Sequence, residues 1–516
     1  MATKPLPESL TATLRTGVRG AVAAVAAAAL AGTLAGVSTA EAQATPFFEL
    51  ASTSPAAASR RAAADLLATN VTAAMNRTNG KGTWGVIVVS LSSGDTLFGH
   101  NADRMLVPAS TMKLFTSALV LDRFGPDGRF ETQLLHTGRI ANGVLHGDLI
   151  LRGAGDPTLG GSPTGGSETS PITALARSVA AAGITRISGS LVGDASEFDD
   201  GKVPDGWKRR YLHASYAARV SALSFNENKI GILIKPAGKR ATVRFRPMIS
   251  GVPVSNTVRI VAKSRSAKIV VTQDSVAGSI KVSGWIGSLS KERDYTFVVE
   301  NPELFAVGAL KAALEKEGVT VDGPIRSGEA DPASAPFAAV ASPTLEQMIL
   351  QMNGESNNHF AELLFRNVGR SVGARGSVVA SNNLLNRFLA DKVHADSLTV
   401  FAADGSGLST LDRVTPRAMV QLLDYARNAS WWPSLEQSLP VAGKTETLAR
   451  RMRRTAAMGN LRAKTGTTND VASLGGYVTA GNGEDLAFAI IYNGTSRWAA
   501  REAIDRIGVT LATFSR

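Results

Sequence analysis

The 516-residue chain contains no cysteine. Disulfides, thiol nucleophiles, iron–sulfur clusters and cysteine zinc sites are therefore excluded. Histidine is scarce as well. The six, His100, His136, His146, His213, His359 and His394, include no pair at a metal-binding helical spacing. No metal and no organic cofactor is expected. No long apolar run follows residue 40, so the remainder reads as soluble. With 44% hydrophobic and 19% charged residues, and no three-residue glycine period, the chain is neither disordered nor collagen-like. A prior of roughly 150 residues per domain suggests about three domains.

The first 44 residues have the pattern of an export signal. Lys4, Arg15 and Arg19 are followed by an uncharged stretch from Gly20 to Ala40, and then by Ala40-Glu41-Ala42 and Ala42-Gln43-Ala44, two small-x-small sites. The rival is a retained anchor, but the run is mostly Ala, Gly and Thr, a weak span. The expected location is the periplasm or another extracytoplasmic space. The formal net charge is +12, of which residues 1–44 hold only three positive and two negative groups. An exported protein does not meet nucleic acid, so anionic wall polymers or membrane head groups are the expected large partners of this field. The densest runs, Lys208-Arg209-Arg210 and Arg450-Arg451 with Arg453-Arg454, also fit plain solvated faces.

Apolar spacing predicts an amphipathic helix over 56–77, a hairpin from Thr83–Ser90 and Thr96–Gly99 around a Ser92–Asp95 turn, and a helix from Ser110 to Phe124. From about 126 to 340 short β-prone pieces alternate with glycine turns, with a polar loop over 160–170. Helical texture resumes at 345–353 and 361–369. A meander over 462–466, 471–479 and 486–493 precedes a terminal helix from Ser496 to about Phe514. The expected organisation is one domain, 45–125 plus 341–516, interrupted by β-rich accessory domains at 126–340.

Three short motifs carry chemistry. Ser110-Thr111-Met112-Lys113 sets a hydroxyl and an amine one helical turn apart at a helix start, where N–H groups favour a developing oxyanion. Burial or a neighbouring cation makes such a lysine a usable base toward the serine. Ser356-Asn357-Asn358 lies between two predicted helices and offers a proton relay and an amide for a peptide carbonyl. Lys464-Thr465-Gly466 sits on a predicted strand, where lysine and threonine suit a carboxylate and glycine admits a substrate backbone. Singly, each is an ordinary polar cluster. Ser288–Lys291 repeats the first pattern in a turn region, and Ser224-Phe225-Asn226 and Ser381-Asn382-Asn383 repeat the second.

Taken in order, the three form the signature of penicillin-interacting serine enzymes. The chain resembles the low-molecular-mass class C penicillin-binding proteins of the D-alanyl-D-alanine carboxypeptidase/endopeptidase type (penicillin-binding protein 4-like, peptidase family S13). The 246-position offset from Ser110 to Ser356 matches that family's inserted domains, and GDLILRGAGDPTL (147–159), ISGSLVGDASEF (187–198), VSALSFNEN (220–228), DGSGLS (404–409) and NLRAKTGTTND (460–470) extend the likeness. The resemblance implies an α+β fold: a serine β-lactamase/transpeptidase-like domain, an antiparallel sheet with flanking helices, interrupted by β-rich insertions. It implies acylation of Ser110 with Lys113 as base. Ser356 would shuttle protons and Asn358 would position the penultimate residue. Lys464 and Thr465 would bind the terminal carboxylate, beside Gly466, and the N–H groups of Ser110 and Thr467 would form the oxyanion hole. Peptidoglycan and muropeptides would be substrates, and β-lactams covalent inhibitors. Thr410 stands where the family commonly has arginine, with Arg413 nearby. Asp194 matches an acidic position tied to the diaminopimelate side chain, although an Asx-type turn explains it equally.

The nearest rival is a serine β-lactamase, which needs a deacylating glutamate. Between His359 and Ala463 only Glu362, Glu436 and Glu446 are available, none in the expected context. An esterase reading of Gly369-Arg370-Ser371-Val372-Gly373 fails because a helix, not a strand, is predicted before it. A non-catalytic wall-binding scaffold is disfavoured by the intact Ser110, Lys113 and Lys464.

Overall fold

The continuous apolar run from Trp84 to Val89 forms the strand Thr83–Ser90, which turns back into Thr96–His100. Its other edge takes the strand Asp485–Asn493 from the far end of the chain, followed by Val471–Thr479 and then Arg462–Thr467, all antiparallel. Side chains alternate across this five-stranded sheet. Val86, Val88, Phe488 and Ile490 face one way, against Leu67 and Val71 of the helix Pro55–Met75 and Ile504 and Ile507 of the helix Arg497–Thr513. Ile87, Ala489 and Ile491 face the other way, against Phe115 of the helix Met112–Phe124 together with Met348, Leu364 and Leu423. Helices on both faces of an antiparallel sheet give the expected α+β architecture. This is a computed structural model, describing residues 55–160, 170–274, 276 and 278–516. The export segment 1–44 and the polar loop at 161–169 lie outside the described residues.

Within 131–341 the chain builds four smaller sheets. Two helices, Ser170–Ala181 and Pro302–Lys316, accompany them, which the β-rich reading of this region did not anticipate. The second has a clear local cause: Asn301 accepts from the Leu304 amide and Pro302 occupies the first turn. Strands 229–237, 240–246 and 293–298 form one sheet, and 254–256, 259–261, 267–273 and 280–287 another. Ile232, Ile234, Ile280, Val282 and Ile286 are buried in the core they share.

The return to the first sheet's helices is set by a capping box. Thr344 accepts from Gln347 N, and Gln347 accepts from Thr344 N, starting the helix Leu345–Gly354. The helix Asn358–Arg370 follows after a short turn, with Asn357 as its cap. Among the described residues no helix is long and apolar enough to cross a membrane.

Candidate active site

Ser110 lies in the 3-10 turn Ala109–Thr111 that leads directly into the helix Met112–Phe124. The turn is gripped from two sides. A Cβ at Gly407 would fall 1.9 Å from the Ala109 carbonyl oxygen, and one at Gly466 would fall 2.8 Å from the Pro108 oxygen and 3.1 Å from the Ser110 nitrogen. Ala109 itself is held at φ 49°, a backbone region that side chains disfavour. A Cβ at position 466 would also lie 2.2 Å from Ser473 Oγ, so packing against Ser473, Pro108 and Ser110 is by itself enough to require glycine there.

Lys113 is fully buried. Its Nζ donates to Ser110 Oγ (3.2 Å), Asn358 Oδ1 (2.7 Å) and the Ser406 carbonyl (2.7 Å). Burial lowers its pKa to about 8, with partial compensation from the negative charges of Asp404, Glu362 and Asp412. Lys464 is buried too, and its Nζ donates to Ser356 Oγ (2.8 Å) and to the Thr465 carbonyl (2.9 Å). Burial, and then the charge of Lys113, hold it well below the usual lysine range. Two serine–lysine pairs therefore converge, and mutual repulsion opposes protonating both amines. Ser356 is held at φ 59° in the turn before the second helix, and Asn358 anchors its amide on the Tyr216 carbonyl (2.9 Å).

Ser110, Ser356, Asn358 and Thr467 line one cavity of about 300 Å³, together with Tyr211, Tyr216 and Arg497. Lys113, Lys464 and Thr465 stand behind its wall. The Thr465 hydroxyl is turned to Thr447 Oγ1 (3.1 Å). Arg497 is the charged side chain on the lining, among the described residues. It lies at the start of the terminal helix, far along the chain from every motif, and so carries no local sequence signal. Tyr211 and Tyr216 come from the inserted region and were likewise not identified from sequence.

Asp194 is not part of this cavity. It lines a separate one with Lys202, Glu303 and Arg375. Its Oδ1 accepts from the Ser196 amide two residues on (2.8 Å) and its Oδ2 from the Ala330 amide (3.0 Å), the geometry of the Asx turn. Arg413 donates to the carbonyls of Thr410 and Asp412, bracing its own loop.

Beneath Lys113 lies a buried acidic cluster. Asp404 accepts four hydrogen bonds: from the amides of Ser406 (3.0 Å), Gly407 (2.6 Å) and Ser409 (2.6 Å), and from Trp207 Nε1 (2.8 Å). Four donors thus converge on this one carboxyl. Burial pushes the Glu362 carboxyl up to about 8, helped by Asp404, and pushes Asp412 well above its ordinary value. Glu362 accepts from the Gly405 amide and does not reach the cavity, so it does not stand where a deacylating glutamate would. The discounted motif copies are structural. Ser381 lies within the helix Val378–Phe388, bonded to backbone carbonyls, and Ser371 ends a helix.

The sheet order and the two helix layers place the chain in the serine transpeptidase-like class of folds. Its family follows: residues 67–514 match the D-Ala-D-Ala carboxypeptidase 3 (S13) family, and the chain belongs to it. It is 32% identical over 448 residues to a D-alanyl-D-alanine carboxypeptidase of Actinomadura sp. (strain R39), covering 84% of this chain and 81% of that one. To the D-alanyl-D-alanine carboxypeptidase DacB of Haemophilus influenzae it is 27% identical over 426 residues, 80% of this chain and 85% of that one. The crystal structure of penicillin binding protein 4 (dacB) from Haemophilus influenzae superimposes with a TM-score of 0.73 at 25% identity, covering 85% of this chain and 98% of that one. The chain is accordingly an enzyme of the D-Ala-D-Ala carboxypeptidase type.

Proposed function

We propose that the protein cleaves peptidoglycan stem peptides through an acyl-enzyme on Ser110. The observation that carries this reading is the buried Lys113 amine 3.2 Å from Ser110 Oγ. Neutral Lys113 takes the hydroxyl proton as Oγ attacks the carbonyl of the penultimate D-alanine. The ester bond forms, the amide bond breaks, and the leaving amine receives a proton through Ser356, backed by Lys464. The amides of Ser110 and Thr467 hold the oxyanion, Asn358 orients the penultimate residue, and water then hydrolyses the ester. The terminal carboxylate is attracted by Lys464 with Thr465 and Thr467, and the half-buried Arg497 adds a cation on the cavity lining. Release of D-alanine is the carboxypeptidase reaction, and release of a cross-linking amine the endopeptidase one. A β-lactam would acylate the same serine.

In this reading residues 1–44 direct export to an extracytoplasmic space, 45–125 and 341–516 make the catalytic unit, and 126–340 form an accessory insertion. Fluorescent penicillin tests it. Slow-releasing label on the wild-type protein and none on Ser110→Ala is expected. Rapid turnover of penicillin would move the assignment to a β-lactamase, and no label on wild type would leave a wall-binding scaffold. Muropeptide digestion then separates loss of terminal D-alanine from cross-link cleavage.

A further inference from the structure

The positive charge of this protein is concentrated in one place. Residues 229–298 contain seven lysines and six arginines against three acidic residues, which accounts for most of the chain's net +12. These residues form the two sheets of the inserted region that share the Ile232–Ile286 core, so their charged side chains point outward. On the sheet containing 229–237, some of the charge is neutralised locally, by Arg244–Glu292 (2.7 Å) and Arg246–Asp294 (2.9 Å).

The other sheet differs. None of its four strands carries an Asp or Glu. Its central strand, 280–287, carries Trp285, and direct register partners flank that ring on both sides: Arg259 from the parallel strand and Lys268 from the antiparallel one. Directly paired side chains project from the same face, about 4.5–5.5 Å apart at Cβ. Ile260, Ile269 and Ile286, one position along, turn to the core. Arg259, Lys268 and Lys281 are exposed and Trp285 is half-buried. Val270, exposed on the same face, is 46% accessible. The result is an indole flanked by two cations on a sheet whose strands carry no carboxylate.

We propose that this face is a binding surface for the glycan strand of peptidoglycan, separate from the catalytic cavity. The indole offers an apolar plate for a pyranose ring, and the flanking guanidinium and ammonium groups meet the free carboxylates of the stem peptides attached along the strand. This rests on the reading of peptidoglycan as the substrate, since the same polymer would then engage both the cavity and the accessory sheet. The surface would retain the enzyme on a long strand without affecting short peptides.

The test uses the mature protein with Ser110→Ala, so that nothing is cleaved, in co-sedimentation with purified sacculi stripped of phosphate polymers. Trp285→Ala and the double variant Arg259→Glu/Lys268→Glu should each lower the bound fraction by about tenfold or more, the scale of losing one stacked or desolvated contact. The charge-reversal loss should shrink as salt rises. The same substitutions on the Ser110 background should leave the rate of fluorescent penicillin labelling unchanged, which also shows that the fold is intact. Undiminished sedimentation in both variants would overturn the proposal, as would a loss confined to anionic lipid vesicles or to phosphate polymer added back. If wild type takes no penicillin at all, the catalytic reading fails while the sedimentation result still stands on its own.

Discussion

Lys113 donates to three acceptors at once, and its base function requires it to give up a proton. With its pKa lowered to about 8 by burial, the rate of penicillin acylation should rise with pH through that region, read as label formed per unit time between about pH 6 and 9. Lys113→Met should slow acylation by roughly a hundredfold or more. Asp404 stabilises the charged form of Lys113. Asp404→Asn should therefore move the midpoint of the pH profile to lower pH, besides reducing the rate, whereas a purely structural defect would lower the rate without moving the midpoint. Much of this was legible in the sequence. Ser110, Lys113, Ser356, Asn358 and Lys464 belong to short motifs whose spacing survives without a structure. The carboxylates beneath Lys113, Arg497 and the two tyrosines were not legible as site residues, because they are brought in by tertiary packing from separated segments. Asp194 failed to join the cavity for a related reason. A motif match fixes the local turn, not the cavity its side chain faces.

At the scale of elements, the loop 404–409 acts as a brace. Its carbonyls accept from Thr116 Oγ1 and Lys113 Nζ, and its glycine abuts the Ala109 carbonyl. The inserted region clamps it from outside: Trp207 donates to Asp404, Ser409 Oγ donates to the Asp205 carbonyl (2.6 Å), and Thr410 N donates to the Gly206 carbonyl (3.2 Å). Trp207→Phe removes one hydrogen bond to a charged group, a loss of about 1.5–3 kcal/mol, and adds the cost of the space vacated by the buried pyrrole ring. Urea unfolding should register it, together with slower labelling of Ser110. Gly407→Ala should be worse. Its φ of 82° and the 1.9 Å approach to backbone leave no room for a methyl, and acylation should be nearly abolished. The helices 170–181 and 302–316 escaped the texture reading because glycine turns on either side dominate the local composition, although Ile172, Leu175, Ala176 and Val179 carry a clear helical period. The motif-bearing helices were visible because their apolar spacing is regular.

Stability is a property of the whole molecule, and the buried carboxyl of Asp156, remote from the cluster beneath Lys113 in its partners, adds its own pH dependence. Burial raises the Asp156 carboxyl to about 6, although its Oδ1 accepts from Thr158 N and Oγ1. A carboxyl whose pKa is higher in the folded state binds its proton more tightly there. Stability is therefore lost as pH rises from the unfolded value of 3.8 through about 6. Asp156→Asn, which keeps the accepting oxygen, should raise Tm at pH 7.5 and have little effect at pH 3.5, as followed by circular dichroism.

The central pairing of Thr83–Ser90 with Asp485–Asn493 joins stretches hundreds of positions apart in the chain. During synthesis the early strand must therefore wait, with an apolar edge uncovered, until almost the whole polypeptide has appeared. Lys464 arrives equally late. A chain that stops before Lys464 holds no completed reaction centre, and the waiting strand is where a holding chaperone would be needed.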